Sequence, residues 1–386
     1  MKNYKNFEKL ILRIKKKFKK NKINLHEPYI TKKDELSVIS SLRKNQISAY
    51  GKTTKVFENK IAKLVKNKNV LSTINGSSAL HLALKMIGID NNSEVFAPSL
   101  TYVSSINAIR YCNSEPIFFE IDKETLSIDL QKFKKFLKRN TLMRDKKCIH
   151  KKTKKHIKAL ILVHLNGLCC DIDQLKKILK KLNIILIEDA AEAVGSTYKK
   201  KHLGTFGEIG VFSFNGNKII TSGGGGALIF KNKKLYEKAK HFSTNCKVKH
   251  QYEYIHDDIG YNYRMPSINA ALGLSQLKKL KTYIYRKKKI HNFYSEILDS
   301  ENFELIKPIK FCNSNYWLNT LKIKNKSLQK KKLIRLAFDK NFFLRPLWKP
   351  MHYFPQFKKC SKMDLKITEY VYKNYLSLPS SVFLQK

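Results

Sequence analysis

The sequence lacks several features that would fix a protein class at once. No run of about 18 apolar residues occurs, so no transmembrane helix is expected. The basic amino terminus has no apolar stretch leading to a small-residue cleavage site, so no secretory leader is expected either. The seven cysteines are odd in number and scattered; Cys169 and Cys170 are adjacent, and no CxxC spacing occurs. They predict neither a disulfide framework nor a metal site, and they fit a reduced, cytoplasmic setting. Acid is scarce too: 30 Asp and Glu stand against 77 Lys and Arg, a net charge of +47.

That excess of base is a footprint of nucleic-acid binders. Here, however, the lysines run along nearly the whole chain, together with abundant Asn, Ile and Tyr. Such a spread reads as compositional bias on solvated faces, and nucleic acid is not the expected partner. A polyanion-binding protein without catalysis is the rival class. Either way, a positive surface raises the local concentration of an anionic substrate.

The 386 residues, 42% hydrophobic, suffice for a large domain and a smaller one. Phe7, Leu10, Ile11, Ile14 and Phe18 recur at helical spacing on a lysine-rich background, which predicts a basic amphipathic helix within residues 1–24. Packing on its own protein is the favoured role of its apolar stripe; contact with an anionic membrane surface is the alternative. Two further helices are predicted over 32–42 and 55–64, with a turn at 48–52. From residue 75 to 230 short apolar strands alternate with helices, at 95–98, 116–121, 159–163, 184–187, 211–214 and 227–230. This predicts an α/β fold with a mostly parallel sheet covered on both faces, in a large domain over 25–290. Residues 145–158 read as a surface hairpin or loop. Shorter mixed elements follow, predicting a smaller C-terminal α/β domain over 291–386.

Four local elements carry chemistry. Glu188 and Asp189 end an apolar strand, where open α/β sheets place ligands, and a carboxylate there can keep a bound heterocycle's nitrogen protonated. A cap on the following element is the plainer reading. Lys218 lies in Ser213-Phe214-Asn215-Gly216-Asn217-Lys218 and leads into Gly223–Gly226, whose glycines would let backbone approach a ligand closely. Asn75-Gly76-Ser77-Ser78 starts a helix, which offers N–H groups and hydroxyls to an anion or merely caps itself. Gly260-Tyr261-Asn262-Tyr263-Arg264 precedes another helix and is weak evidence alone.

Taken in order, GSSAL, TYVSSINAI, EDAAEA, GTFGEIGVFSFNGNK and GYNYRMPSINAALG resemble the DegT/DnrJ/StrS family of sugar aminotransferases. HEPY at 26–29, HDDIG at 256–260 and LPSS at 378–381 resemble its LegC-type branch. The resemblance implies the aspartate-aminotransferase-like fold (fold type I of pyridoxal-phosphate-dependent transferases), with pyridoxal 5'-phosphate as cofactor. It implies that Lys218 carries the cofactor and moves the proton, and that Asp189 pairs with the ring nitrogen. Ser77, Ser78 and Ser213 would bind the phosphate, and Tyr102 would stack on the ring. Glu192, where many members have Gln, would lie near the ring hydroxyl. Asn262 would reach the cofactor of a second subunit, which implies a homodimer. The implied reaction moves an amino group from glutamate to carbon 4 of a nucleotide-linked 4-keto-6-deoxy-N-acetylhexosamine, toward surface polysaccharide or nonulosonic-acid-type sugars.

Overall fold

The computed structural model describes residues 2–49, 51–298 and 300–385. The turn expected at 48–52 includes Tyr50, which lies outside them. The centre of the molecule is a nine-stranded sheet built from β1 (Val70–Thr73), β2 (Ser93–Pro98), β3 (Glu115–Phe119), β4 (Thr141–Arg144), β5 (Lys147–His150), β6 (His156–Val163), β7 (Ile185–Asp189), β8 (Ile209–Ser213) and β9 (Gly226–Phe230). Its order is β1-β9-β8-β7-β6-β2-β3, with the β4–β5 hairpin attached to β6. The run β8-β7-β6-β2-β3 is parallel, and β9 is antiparallel to both of its neighbours. Strands β2, β7, β8 and β9 are buried almost throughout, as expected of a sheet covered on both faces. The surface hairpin or loop expected at 145–158 covers the turn and second strand of the β4–β5 hairpin and the first residues of β6, because Thr141–Arg144 pairs in register with Lys147–His150.

After β3 the chain returns to place β6 beside β2, so the strand order reverses between these two. Ligands of open α/β sheets bind at such a reversal, outside the carboxyl ends of the strands.

A second, four-stranded antiparallel sheet joins Phe303–Leu305, Asn319–Ile323, Tyr375–Leu378 and Arg345–Pro346. It has its own apolar core, and the amino-terminal helix α1 (Lys2–Phe18) belongs to that core. Phe7, Ile11, Ile14 and Phe18 are all buried, with Phe7 against Phe303 and Phe18 against Phe293 and Tyr294. The stripe read from the sequence is therefore covered by the protein itself. The helix Leu280–Ile297 links the two cores, giving Leu280 and Tyr283 to the large one and Ile290 and Tyr294 to the second. Phe7→Ala should cost about 3–5 kcal/mol, the usual loss for truncating a buried phenylalanine. Denaturant unfolding checks this; a change within ~0.5 kcal/mol would mean that α1 is not docked in solution.

Candidate active site

Residues from six segments converge on a cleft of about 340 Å³ at the carboxyl ends of the parallel strands. That size suits a small-molecule site. A larger cleft of about 1020 Å³ opens at the opposite ends of β7 and β8, lined by Leu186, Phe206 and several lysines, and it shares no lining residue with the first.

The acidic wall comes from β7. Successive residues of a strand point to opposite faces, so the two acids read together from the sequence separate. Glu188 turns away from the cleft. Its carboxylate accepts N–H bonds from Gly204 (2.8 Å), Phe206 (2.6 Å) and Gly207 (2.6 Å), and lies 2.9 Å from His164 Nε2. Burial raises the pKa of this group, but these hydrogen bonds and the His164 charge outweigh it, and the net shift is downward. Asp189 lines the cleft and is buried. Its Oδ2 accepts from Ser105 Oγ at 2.6 Å and its Oδ1 from the Ala191 N–H at 3.1 Å, which fixes the carboxylate plane. Ser105 sits in the helix Ser104–Tyr111 that follows β2, and Thr101 Oγ1 lies 3.2 Å from its hydroxyl.

Lys218 enters from the loop after β8. Its side chain is 13% exposed, and its Nζ lies 3.9 Å from Glu192 Oε1 and 4.4 Å from the centre of the Trp317 ring. The indole N–H of Trp317 donates to the Asn217 carbonyl at 2.8 Å, so this one side chain both backs the ammonium and ties down the residue before it. Glu192 is buried, and its Oε2 accepts from the Asn166 N–H at 2.8 Å. Burial pushes its carboxyl above the usual range; the Lys218 charge and the Asn166 bond pull the other way, and the Asp189 charge adds to the rise.

Opposite the acids is the amino end of the helix Gly76–Met86. Asn75 caps it by accepting from the Ser78 N–H at 2.7 Å. Asn75, Gly76, Ser77 and Ser213 line the cleft there, and Ser77 Oγ donates to Ser104 Oγ at 2.8 Å. N–H groups and hydroxyls at a helix amino end favour an anion. Ser78 does not line the cleft; its N–H is spent on the cap. Tyr102 and Trp348 line the mouth with ring centres 5.1 Å apart, and Tyr102 is 52% exposed. Asn262 is outside this cleft, beside Thr244 in an isolated bridge.

The glycine run has a different role from the one expected. None of Gly223–Gly226 lines the cleft. A Cβ on Gly226 would stand 2.6 Å from the Asn75 carbonyl oxygen, and one on Gly225 2.4 Å from Met265 Cε. At Gly226 the close approach is to the turn entering the Gly76 helix. Gly226→Ala should therefore push that turn out of place and cost about 1–3 kcal/mol by overpacking, with weaker anion binding. Thermal melting with and without pyridoxal phosphate tests both effects.

Sequence reasoning missed Ser105, Asn166, Trp317 and Trp348. Ser105 lies within the TYVSSINAI motif without being singled out there, and no local pattern marks the other three. Trp317 and Trp348 reach the site from loops beside strands of the second sheet, 99 and 130 residues after Lys218.

A protonatable amine, two buried carboxylates, an anion-favouring helix end and an aromatic mouth suit a cofactor with a phosphate, a basic heterocycle and a carbonyl. Comparison with known proteins agrees. The model of the DegT/DnrJ/EryC1/StrS aminotransferase family matches residues 28–386. The GDP-perosamine synthase of Escherichia coli O157:H7 is 36% identical over 337 residues, 87% of either chain. The UDP-4-amino-4,6-dideoxy-N-acetyl-beta-L-altrosamine transaminase of Campylobacter jejuni is 28% identical, over 89% of either chain. Among solved structures, PseC of Helicobacter pylori, an aminotransferase involved in the biosynthesis of pseudoaminic acid, superposes with a TM-score of 0.83 over 93% of both chains at 26% identity. The architecture is thus the aspartate-aminotransferase-like fold that the motifs implied. This chain belongs to the DegT/DnrJ/EryC1/StrS aminotransferase family, whose members in general depend on pyridoxal phosphate.

Proposed function

We propose that the protein binds pyridoxal 5'-phosphate at this cleft and transfers an amino group from glutamate to carbon 4 of a nucleotide-linked 4-keto-6-deoxy-N-acetylhexosamine. The observation that carries the reading is Lys218 Nζ held between Trp317 and Glu192 in a cleft that also holds Asp189. Bound there, the cofactor supplies an electron sink for the carbon that loses or gains a proton. Asp189, its plane fixed by Ser105 and the Ala191 N–H, holds the ring nitrogen's proton. Ser77, Ser213 and the amino end of the Gly76 helix hold the phosphate, with Ser78 acting through the cap. Tyr102 covers one ring face. Glu192 lies beside the ring hydroxyl. Lys218 Nζ carries the cofactor between turnovers and moves the proton on the substrate carbon.

The names of the relatives support a sugar nucleotide as acceptor, with GDP in one and UDP in the other. Asn262 serves the site of a second copy, so the active unit is a homodimer. The LegC-like segments support an N-acetylated sugar. A screen of UDP- and GDP-linked 4-keto-6-deoxy sugars with glutamate, read by product mass, tests this. Amination of the N-acetylated UDP sugar at carbon 4 supports it. Turnover confined to a GDP sugar without the N-acetyl group would overturn the branch, and no turnover on any keto sugar would overturn the substrate class.

A further inference from the structure

A cluster of metal-binding groups lies away from the cleft, where the helix Lys233–Phe242 ends and a short hairpin begins. His241, Cys246 and Asp257 each bring one donor atom, and these atoms lie within 4.8 Å of one another. His241 Nε2 and Asp257 Oδ1 are already 2.6 Å apart. The Cys246 side chain is fully buried beneath them.

The local backbone is built around this meeting. Asn245 and Cys246 both adopt left-handed φ, +58° and +52°, which costs energy in non-glycine residues and turns the thiol inward. A Cβ on Gly260 would stand 2.4 Å from the Cys246 nitrogen, so only glycine lets the returning strand close over that turn. The Asp257 N–H donates to the Cys246 carbonyl, and His256 Nδ1 bonds the Asn245 carbonyl at 2.7 Å. Three donors from separated chain positions are thereby held together by fixed backbone rather than by mobile side chains.

We propose that His241, Cys246 and Asp257 form a zinc site. One imidazole nitrogen, one thiolate and one carboxylate are a zinc donor set, and three protein ligands leave the fourth tetrahedral position to water. Donor atoms around tetrahedral zinc are roughly 3.2–3.8 Å apart, a small adjustment from this arrangement. On binding, the Cys246 thiol releases its proton to solvent, the His241 ring exchanges its Nε2 proton for one on Nδ1 through solvent so that Nε2 offers a lone pair, and the metal replaces the His241–Asp257 hydrogen bond. The site staples the helix end to the loop that carries Asn262, since Asn245 N–H donates to the Tyr261 carbonyl and Tyr261 N–H to the Phe242 carbonyl. A His-x4-Cys-x10-Asp spacing matches no common metal motif, so the cluster is visible only once the chain is folded.

The test is Co(II) titration of the chelator-treated holoenzyme under reducing, oxygen-free conditions. One equivalent should produce the visible d–d bands of tetrahedral cobalt, displaceable by zinc. Cys246→Ser and His241→Ala should abolish the bands and weaken zinc binding at least ~100-fold. Asp257→Asn, at an exposed position that folding tolerates, should weaken it about 10–100-fold. Cys360→Ser, elsewhere on the protein, should leave the bands unchanged. Absence of tetrahedral bands in the unmodified protein, or bands that persist in Cys246→Ser, would overturn the proposal.

Discussion

Replacing Lys218 with alanine should lower the transamination rate by at least 10²–10⁴-fold, the range that a positioned proton-transfer group contributes. The fold should survive, because among the described residues the lysine side chain makes no hydrogen bond to the backbone; it meets the Trp317 ring and Glu192. The same substitution should remove the visible absorption that a lysine-linked cofactor gives the purified protein. A variant with native melting, no yellow colour and residual turnover near background is the expected result. Retention of more than a tenth of the rate would mean that another base moves the proton. Trp317 offers an intermediate case. Trp317→Phe keeps a ring face behind Lys218 but loses the bond to the Asn217 carbonyl, so its defect should be smaller than that of Trp317→Ala.

The largest expected effect on stability is at the neighbouring acid. Glu188→Ala leaves three buried backbone N–H groups and His164 without their acceptor. Each orphaned buried donor costs on the order of 1–3 kcal/mol, so a loss of at least ~3 kcal/mol is expected, enough to threaten folding at ordinary temperature. The pH dependence follows from the downward shift. A carboxyl with a folded-state pKa below its unfolded value contributes stability above the unfolded value, and that stability is lost as pH falls through the folded one. The protein should therefore lose stability below about pH 4, the ordinary carboxyl range. Glu188→Gln should flatten this acid limb while lowering stability at neutral pH. Asp34, buried beneath Thr31 and Lys279, is also held below the usual range: burial raises it, but the Lys279 and Thr31 hydrogen bonds prevail. Some acid dependence should accordingly remain in Glu188→Gln. Chemical denaturation of both proteins between pH 3 and 7 (roughly the span of carboxyl titration) checks the sign. An unchanged acid limb would contradict the assignment.

Much of this architecture is legible in the sequence, and the parts that are not have physical reasons. Apolar runs such as Ala159–Val163, the body of β6, announce themselves by composition, and the alternation with helices gives the layered α/β form. Strand β1 escapes notice because Val70–Thr73 is four residues long and half polar. Nothing local says that β9 runs antiparallel; that follows from its pairing with Phe212–Ser213 on one side and Ser72–Thr73 on the other. In the site, Lys218 and Asp189 could be singled out because each belongs to an ordered series of motifs. Their supporting groups could not. Ser105 matters only because the Ser104 helix brings its hydroxyl to Asp189, and Trp317 because the second sheet packs against the loop before Lys218. Glu188 and Asp189 look alike as adjacent acids, yet the strand's two-residue period gives one a structural role and exposes the other to the cleft. The glycines after Lys218 show the converse: a feature that suggests a ligand can be required by backbone packing alone.

The measurement closest to the central claim is borohydride reduction of the purified, cofactor-loaded protein, followed by peptide mass analysis. In a chain with this many lysines, one peptide alone, the one containing Lys218, should carry the pyridoxyl-phosphate mass, and Asp189→Ala should reduce its yield. Label spread over other lysines, or a peptide without Lys218 carrying it, would contradict the account.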